Sequence, residues 1–294
     1  FESSLVRLFP NRRGVHYQGR VHELVEHSIS KLPGLVIKPS GLRIHHYGHT
    51  AKVLQKKKKA KLYTPLGEEK IKEDADNWQA FFELGVEHNV NGRREESIAA
   101  FMRALEMNSH YVPCWVNLGY VLCETARYPE ALEALECAIR LKPDEEEAYC
   151  NLGVVFMRVR QFDKAAACFS KAVQLKPNYV LAHCNMGESL VFLGKLNEAV
   201  QIFKHALELL PTCAQAKFDL GAIYFAAGRV KEAEHYLRAA VQDNPGHSGA
   251  YYHLGQILRL TDRVEEAAEC LKQFGELTKC EDTRSFDAKK AEHA

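Results

Sequence analysis

The sequence lacks any run of 18 apolar residues and any secretory signal, so we expect no membrane-spanning segment. It also lacks a Cys-x-x-Cys pair: the nine cysteines lie scattered between Cys114 and Cys280, without the spacing of metal ligands. Such a set is typical of small buried side chains in a reducing compartment. We therefore predict a cytoplasmic protein whose cysteines are reduced.

Acidic residues are scarce at the start of the chain. Residues 1–62 hold 13 Lys and Arg against three Glu, and the first aspartate is Asp74. This region has a net charge of +10, whereas the remaining residues, with 26 basic and 35 acidic side chains, have −9. The asymmetry predicts two regions with different partners, of which the basic one suits an anionic ligand.

The strongest pattern in the sequence is a repeat of 34 residues. Twelve positions after a recurring glycine stands a small side chain, which is Ser97 in the first unit and Ala in the other five. A large apolar residue follows four positions later, and the four middle units carry a proline near their ends. The recurring glycines are Gly85, Gly119, Gly153, Gly187, Gly221 and Gly255.

This period and order of residues resemble the tetratricopeptide repeat (TPR), in which each unit is a pair of antiparallel helices. The resemblance implies small residues where the two helices cross and a proline that ends the second helix. We therefore predict a mainly α-helical fold, a right-handed TPR superhelix of six helix hairpins over residues 78–281, with a concave groove. Residues 282–294 are predicted to form a tail or a partial cap.

Position six of each unit suggests that the groove binds peptide. It holds Asn117, Asn151 and Asn185 in three successive units and Asp219 in the next. An amide donates and accepts hydrogen bonds, so a ladder of amides can pair with a peptide backbone of any sequence. The pattern resembles the asparagine ladder of O-linked N-acetylglucosamine transferases, which holds extended polypeptide. The alternative is that these asparagines cap or pad the repeats locally.

Aromatic side chains at neighbouring positions extend the predicted lining. Repeats that grip a C-terminal carboxylate need Lys and Arg at several of these places, and position five carries no cation here. The lining therefore favours an extended polypeptide with aromatic or aliphatic anchors. Cys150 and Cys184, also at position five, are interpreted as packing residues. The predicted aromatic lining is Phe82, Tyr120, Phe218 and Tyr252.

Residues 1–50 do not follow the repeat. The stretches "SLVRLF" and "LVIKPSGLRIHHYG" have the apolar, β-branched character of strands, and turn residues in "PNRRG" and "KLPG" interrupt them. Four or five short strands cannot close a core alone, so we expect this segment to pack against something else.

Three motifs before the repeats resemble the end of a family-2 glycosyltransferase domain: "RLF" at 7–9, "GRVHE" at 19–23 and "HYG" at 46–48. The resemblance covers residues 1 to about 75 and implies the C-terminal strands of a GT-A-like domain in residues 1–50. Members of that family hold a nucleotide-sugar donor and a divalent metal through an Asp-x-Asp motif in the N-terminal half. With no aspartate before Asp74, that half is not in this chain.

The resemblance makes His22 the first candidate for a metal or diphosphate contact, because imidazole binds metals when neutral and phosphate when charged. Glu23 would orient His22 or position an acceptor, Arg20 and Arg43 would neutralise diphosphate charge, and His46 is a further candidate. The alternative is that these histidines are half-buried strand residues. No complete catalytic constellation is present, so we expect no cofactor in this chain and no activity from it alone.

Residues 51–77 contain the run "KKKKAK" at 56–61 and are interpreted as a basic linker helix in contact with solvent. A nucleic-acid partner is disfavoured, because the run is short, lacks interleaved aromatic residues and precedes the charge-balancing "EEKIKEDAD".

Together these features predict the C-terminal part of a TPR-bearing family-2 glycosyltransferase whose repeats bind a polypeptide acceptor or a partner protein. The alternative is a non-enzymatic TPR adaptor whose front segment is a docking element. Because the chain begins at Phe1 and not at Met, we expect it to be part of a longer protein. An Asp-x-Asp motif after a strand upstream of Phe1 would favour the enzyme, and a start codon directly upstream would favour the adaptor.

Overall fold

The computed structural model of the protein describes residues 77–291, with side chains from 77 to 279. The predicted strands of residues 1–50 and nearly all of the predicted linker helix therefore lie outside the described residues. The chain divides into two compact units, the first ending at Cys114 and the second beginning at Trp115. Each unit is described by itself.

Within residues 77–291 the chain forms twelve α-helices and no strand. Odd-numbered helices are the first helices of the hairpins, and they begin at the residues where the sequence pattern starts each repeat. The prediction of a mainly α-helical fold made of tandem helix hairpins is confirmed. In chain order the helices are α1 (Trp78–Val90), α2 (Arg94–Met107), α3 (Val112–Glu124), α4 (Tyr128–Leu141), α5 (Glu146–Arg158), α6 (Phe162–Leu175), α7 (Val180–Phe192), α8 (Leu196–Leu209), α9 (Ala214–Ala226), α10 (Val230–Asp243), α11 (Ser248–Leu260) and α12 (Val264–Ala291).

Proline sets the length of the second helices. Helices α4, α6, α8 and α10 each end two residues before the proline of their repeat, because proline has no N–H to continue the ladder of backbone hydrogen bonds. The corresponding residue of α12 is Lys279, and this helix continues to Ala291. The predicted boundary at residue 281 therefore falls inside a continuous helix.

In the second unit, each hairpin closes around a glycine of its first helix. In the hairpin of α7 and α8, a Cβ added to Gly187 would lie 2.6 Å from Cε1 and Cζ of Phe203, which is fully buried. Ala199 in α8 is also fully buried, and its small side chain keeps the two helices close. The same glycine contacts recur at Gly119–Leu135, Gly153–Phe169, Gly221–Leu237 and Gly255–Leu271.

The first unit contains the hairpin of α1 and α2, in which Gly85 packs on Phe101 in the same way. Ser97 replaces the usual alanine here. Its hydroxyl donates a hydrogen bond of 2.6 Å to the backbone carbonyl of Gly85. Because that bond satisfies the buried hydroxyl, the substitution adds a link between the helices at no cost of an unpaired polar group.

Packing in the second unit is local along the chain. From α6 to α12, each helix packs on the next. In addition, α5 touches α7, α7 touches α9 and α9 touches α11, so the first helices of successive hairpins lie side by side. Residues at one position of the repeat are therefore brought into a row on these first helices.

Candidate functional site

The first helices of the second unit carry a row of amides. Asn117, Asn151 and Asn185 stand at the same position of α3, α5 and α7, and each is half-buried. We call these three residues the asparagine row. Asp219 occupies the same position in α9 and is also half-buried. Part of each side chain remains open to solvent, so the row can meet a ligand that lies across the first helices.

Asn185 also contributes to packing between repeats. Its side chain and the hydroxyl of Tyr179 hydrogen-bond the thiol of Cys150, which is 1% exposed. Its backbone carbonyl accepts a hydrogen bond of 2.8 Å from the hydroxyl of Ser189. An amide side chain offers two N–H donors and one acceptor, so the bond to Cys150 leaves capacity for a ligand. Local padding therefore describes part, and not all, of what Asn185 can do.

Two carboxyl groups lie close to the asparagine row. Burial raises the pKa of Asp219 to about 7, and the neighbouring Glu188 raises it further, while hydrogen bonds of 3.3 and 3.2 Å from Gln215 oppose the shift. Burial also raises the pKa of Glu188, against the charge of Arg158. We call Glu188 and Asp219 the acidic pair. Two acids that resist ionisation mark a place that disfavours a further negative charge.

Replacing Asp219 by Asn should stabilise the protein, and the gain should grow by about 1–3 kcal/mol between pH 5 and pH 8. The carboxyl has a pKa near 7 in the folded protein, above the usual 3.8. The unfolded chain therefore loses this proton first, and stability falls as pH rises through that interval, whereas an amide has no proton to lose. Urea denaturation of both proteins at the two pH values measures the difference.

Asp243→Asn is the matched control, because Asp243 is ion-paired with Lys217 and both side chains are 17% exposed. This variant should lose stability at both pH values. An equal gain for Asp219→Asn at pH 5 and pH 8 would show that Asp219 ionises normally in the folded protein.

An aromatic cluster borders the acidic pair. The imidazole of His253 lies 5.7 Å from the ring of Phe218, 5.9 Å from Phe225 and 5.5 Å from Tyr252, measured between ring centroids. Burial lowers the pKa of His253, so the ring is neutral at neutral pH. Its Nδ1 is buried and has no hydrogen-bond partner among the described residues. We call these four residues the aromatic cluster; it can hold an apolar side chain and offers it one polar atom.

The other two predicted aromatic residues differ in their surroundings. Phe82 in the first unit packs on Phe101 and Tyr111, with ring centroids 5.8 and 5.0 Å apart, which makes it partly a core residue. Tyr120 is 42% exposed, like Tyr252 at 41%. The sequence reasoning did not single out Glu188, although it stands at position nine of its repeat, as Tyr120 does.

The predicted front-segment residues lie outside the described part of the chain: His22, Glu23, Arg20, Arg43 and His46. Their suggested roles toward a metal or a diphosphate stay predictions. Within the described residues, no group of three or more His, Cys, Asp or Glu could hold a metal ion. No helix in the same part of the chain is long and apolar enough to cross a membrane.

Solved structures share the hairpin architecture at low sequence identity. The Cut9–Hcn1 hetero-tetramer of the APC/C matches with a TM-score of 0.66 and 16% identity, over 80% of this chain and 46% of that one. PilF of Pseudomonas aeruginosa matches with 0.62 and 17%, over 72% and 97%. A thermophilic TPR protein of Thermus thermophilus matches with 0.53 and 22%, over 62% and 98%. These likenesses concern the fold alone.

A curated protein of rice (Oryza sativa subsp. japonica) matches a short part of the sequence. It is described as probable UDP-N-acetylglucosamine–peptide N-acetylglucosaminyltransferase SPINDLY and is 39% identical over 54 residues. The match spans 18% of this chain and 6% of the rice protein. The chain therefore corresponds to a small fraction of that relative's length.

One protein-family model covers most of the chain. The model describes the C-terminal domain of cilia and flagella-associated protein 70, carries TPR in its name, and matches residues 47–291. The matched range includes every helix that the structure describes. The chain belongs to the family of the cilia and flagella-associated protein 70 C-terminal domain.

Proposed function

We propose that the protein binds an extended polypeptide along the first helices of its TPR hairpins. The asparagine row carries this proposal. Its three amides recur every 34 residues on first helices of one compact unit, and each is half-buried. A peptide backbone also presents donors and acceptors at regular intervals, so a row of amides can bind it without reading its sequence.

The aromatic cluster supports the proposal by offering an anchor for one side chain of the peptide. Aromatic rings grouped within 6 Å of His253 give a large apolar contact area with little conformational entropy to lose. An aliphatic or aromatic peptide residue would bury its surface there. The neutral imidazole could pair with a polar atom beside it.

The acidic pair sets the charge of the peptide that fits. Asp219 has a pKa raised to about 7, so an added carboxylate would sit beside groups that already resist ionisation. A neutral or basic segment would not meet this penalty. We therefore propose an internal, uncharged or basic stretch of the partner and not a free C-terminus.

The family name associates its members with cilia and flagella. We propose that the polypeptide partner is a ciliary or flagellar component, held by this repeat region of a longer protein in the cytoplasm. Nothing in the described residues requires nucleic acid as a partner.

Peptides capped at both ends should bind at least as tightly as the same peptides with a free C-terminal carboxylate. Uncapping should weaken binding by up to about tenfold because of the acidic pair. Affinity should change little between low and moderate salt, since the main contacts are neutral. Titration of one degenerate, aromatic-containing peptide pool in both forms, at two salt concentrations, measures these effects.

The control for this titration is the double variant Arg158→Gln and Arg259→Gln, which removes the cations of the first helices near the row. It should leave binding of the capped pool unchanged. Preference for the uncapped pool, lost in this double variant and at high salt, would identify a carboxylate-binding mode and reject the proposed one.

A second proposal concerns the longer protein. The order of the front-segment motifs and the short match to the rice SPINDLY protein support a C-terminal part of a family-2 glycosyltransferase. In that case the parent enzyme would use a nucleotide-sugar donor and a divalent metal, and the repeats would recruit its polypeptide acceptor. The family match begins at residue 47, after two of the three motifs, and is equally compatible with a non-enzymatic adaptor. The coding frame upstream of Phe1 distinguishes the two.

A further inference from the structure

One contact recurs within the repeats. It joins position five of a first helix to the last residue of the same repeat, 29 positions later. In the fourth repeat, these two places hold Cys184 and Cys213, whose sulfur atoms lie 3.6 Å apart. The equivalent contacts in other repeats are Phe82–Tyr111, Cys150–Tyr179 and Phe218–His247. Because different side chains meet at the same place, the repeat backbone itself brings the two thiols together.

The two cysteines differ in their surroundings. Cys184 is only 4% exposed, whereas Cys213 is half-buried and caps the N-terminus of α9. The hydrogen bond from the Cys184 thiol lowers the pKa of Cys213, and the backbone N–H groups of Ala216 and Gln215 lower it further. The same bond and burial raise the pKa of Cys184. The thiolate is therefore held at Cys213, the more accessible of the two.

We propose that Cys213 and Cys184 form a peroxide-responsive dithiol site, in which Cys213 reacts with the oxidant and Cys184 closes a disulfide. The Cys213 thiolate attacks one oxygen of hydrogen peroxide, the O–O bond breaks, and sulfenic acid and hydroxide form. The Cys184 sulfur then attacks the sulfenic sulfur; the S–O bond breaks, and the hydroxyl leaves as water with the thiol proton. Two thiol sulfurs are oxidised and one peroxide is reduced.

The site is arranged so that this step needs little movement. The sulfur atoms must approach from 3.6 Å to about 2.0 Å, the length of a disulfide bond. Cys213 lies in the turn before α9, where backbone adjustment disturbs no helical hydrogen bond. The disulfide would tie α7 to the start of α9 and so fix two first helices that border the acidic pair.

The experiment uses the chain as it is and needs no variant for its main result. The reduced protein is treated with hydrogen peroxide, alkylated and digested with trypsin, and cross-linked peptides are identified by mass spectrometry. We expect the peptide of residues 172–195, which contains Cys184, linked to that of residues 205–217, which contains Cys213. Dithiothreitol should release the link. In Cys184→Ser, oxidation should stop at a Cys213 sulfenic acid that dimedone labels.

Cys168 is the internal control, because it is also half-buried but burial raises the pKa of its thiol to about 11. In the folded, reduced protein at pH 7, iodoacetamide should modify Cys213 at least about tenfold faster than Cys168. Cys150→Ser should leave the peroxide reaction unchanged. Equal alkylation of Cys213 and Cys168, or absence of the linked peptides after peroxide treatment, would overturn the proposal.

Discussion

Gly187→Leu should lower the free energy of unfolding by about 2–3 kcal/mol, which is the upper part of the range for overpacked cores. Even the first added carbon would lie 2.6 Å from the buried ring of Phe203, well inside normal contact distance. The ring has no room to retreat, since Phe203 is fully buried and lies in the core that joins successive hairpins. The helices α7 and α8 must therefore separate, which also disturbs the fully buried Ala199. Urea denaturation followed by circular dichroism measures the loss.

Gly275→Ala is the matched control for this substitution. Gly275 is also a helical glycine, but an added Cβ there meets nothing within 4 Å. Alanine favours helix by up to about 1 kcal/mol over glycine, so this variant should be neutral or more stable. If Gly187→Leu cost less than half a kcal/mol, the tight crossing of α7 and α8 would not exist as described.

The hairpins could be predicted from the sequence because each depends on contacts at fixed, short spacing. Gly187 and Phe203 lie 16 residues apart, and the same pair of residue types recurs in every unit. The proline two residues after α8 likewise ends that helix by local chemistry. Where the local signal is missing, at Lys279, the predicted boundary of the last repeat did not coincide with a helix end.

The electrostatics of the candidate site could not be predicted in the same way. Glu188 and Asp219 belong to different repeats, and their interaction depends on how α7 and α9 lie side by side. The same holds for the bond between Asn185 and Cys150. The contact of Cys184 with Cys213 was overlooked, although it could have been found by comparing positions five and 34 across the repeats. Interpreting Cys184 as packing alone was therefore incomplete.

The triple variant Asn117→Ala, Asn151→Ala and Asn185→Ala should weaken binding of the capped peptide pool by about 1.5–4.5 kcal/mol. Each change removes a neutral hydrogen-bonding group worth about 0.5–1.5 kcal/mol. The loss should be similar for peptides of different sequence, because the amides would contact the peptide backbone. Fluorescence titration of wild type and variant with the same pool measures it.

Thermal unfolding of the triple variant provides the necessary control, since Asn185 also contacts Cys150. We expect a small change in Tm, because all three side chains are only half-buried. Asn178→Ala, at an exposed asparagine outside the first helices, should change neither binding nor Tm. Unchanged binding together with a Tm lower by many degrees would show that the asparagine row only pads the repeats.

The local packing of the second unit has a mechanical consequence. Helices that rest only on near neighbours in the chain share no central core through which a load could spread. Tension applied to the two ends of such a unit is carried by one hairpin interface at a time, and each repeat that yields releases about 100 Å of extended chain. The unit would lengthen stepwise under force, while the hairpins still folded would keep their amides and rings in place for the polypeptide they hold.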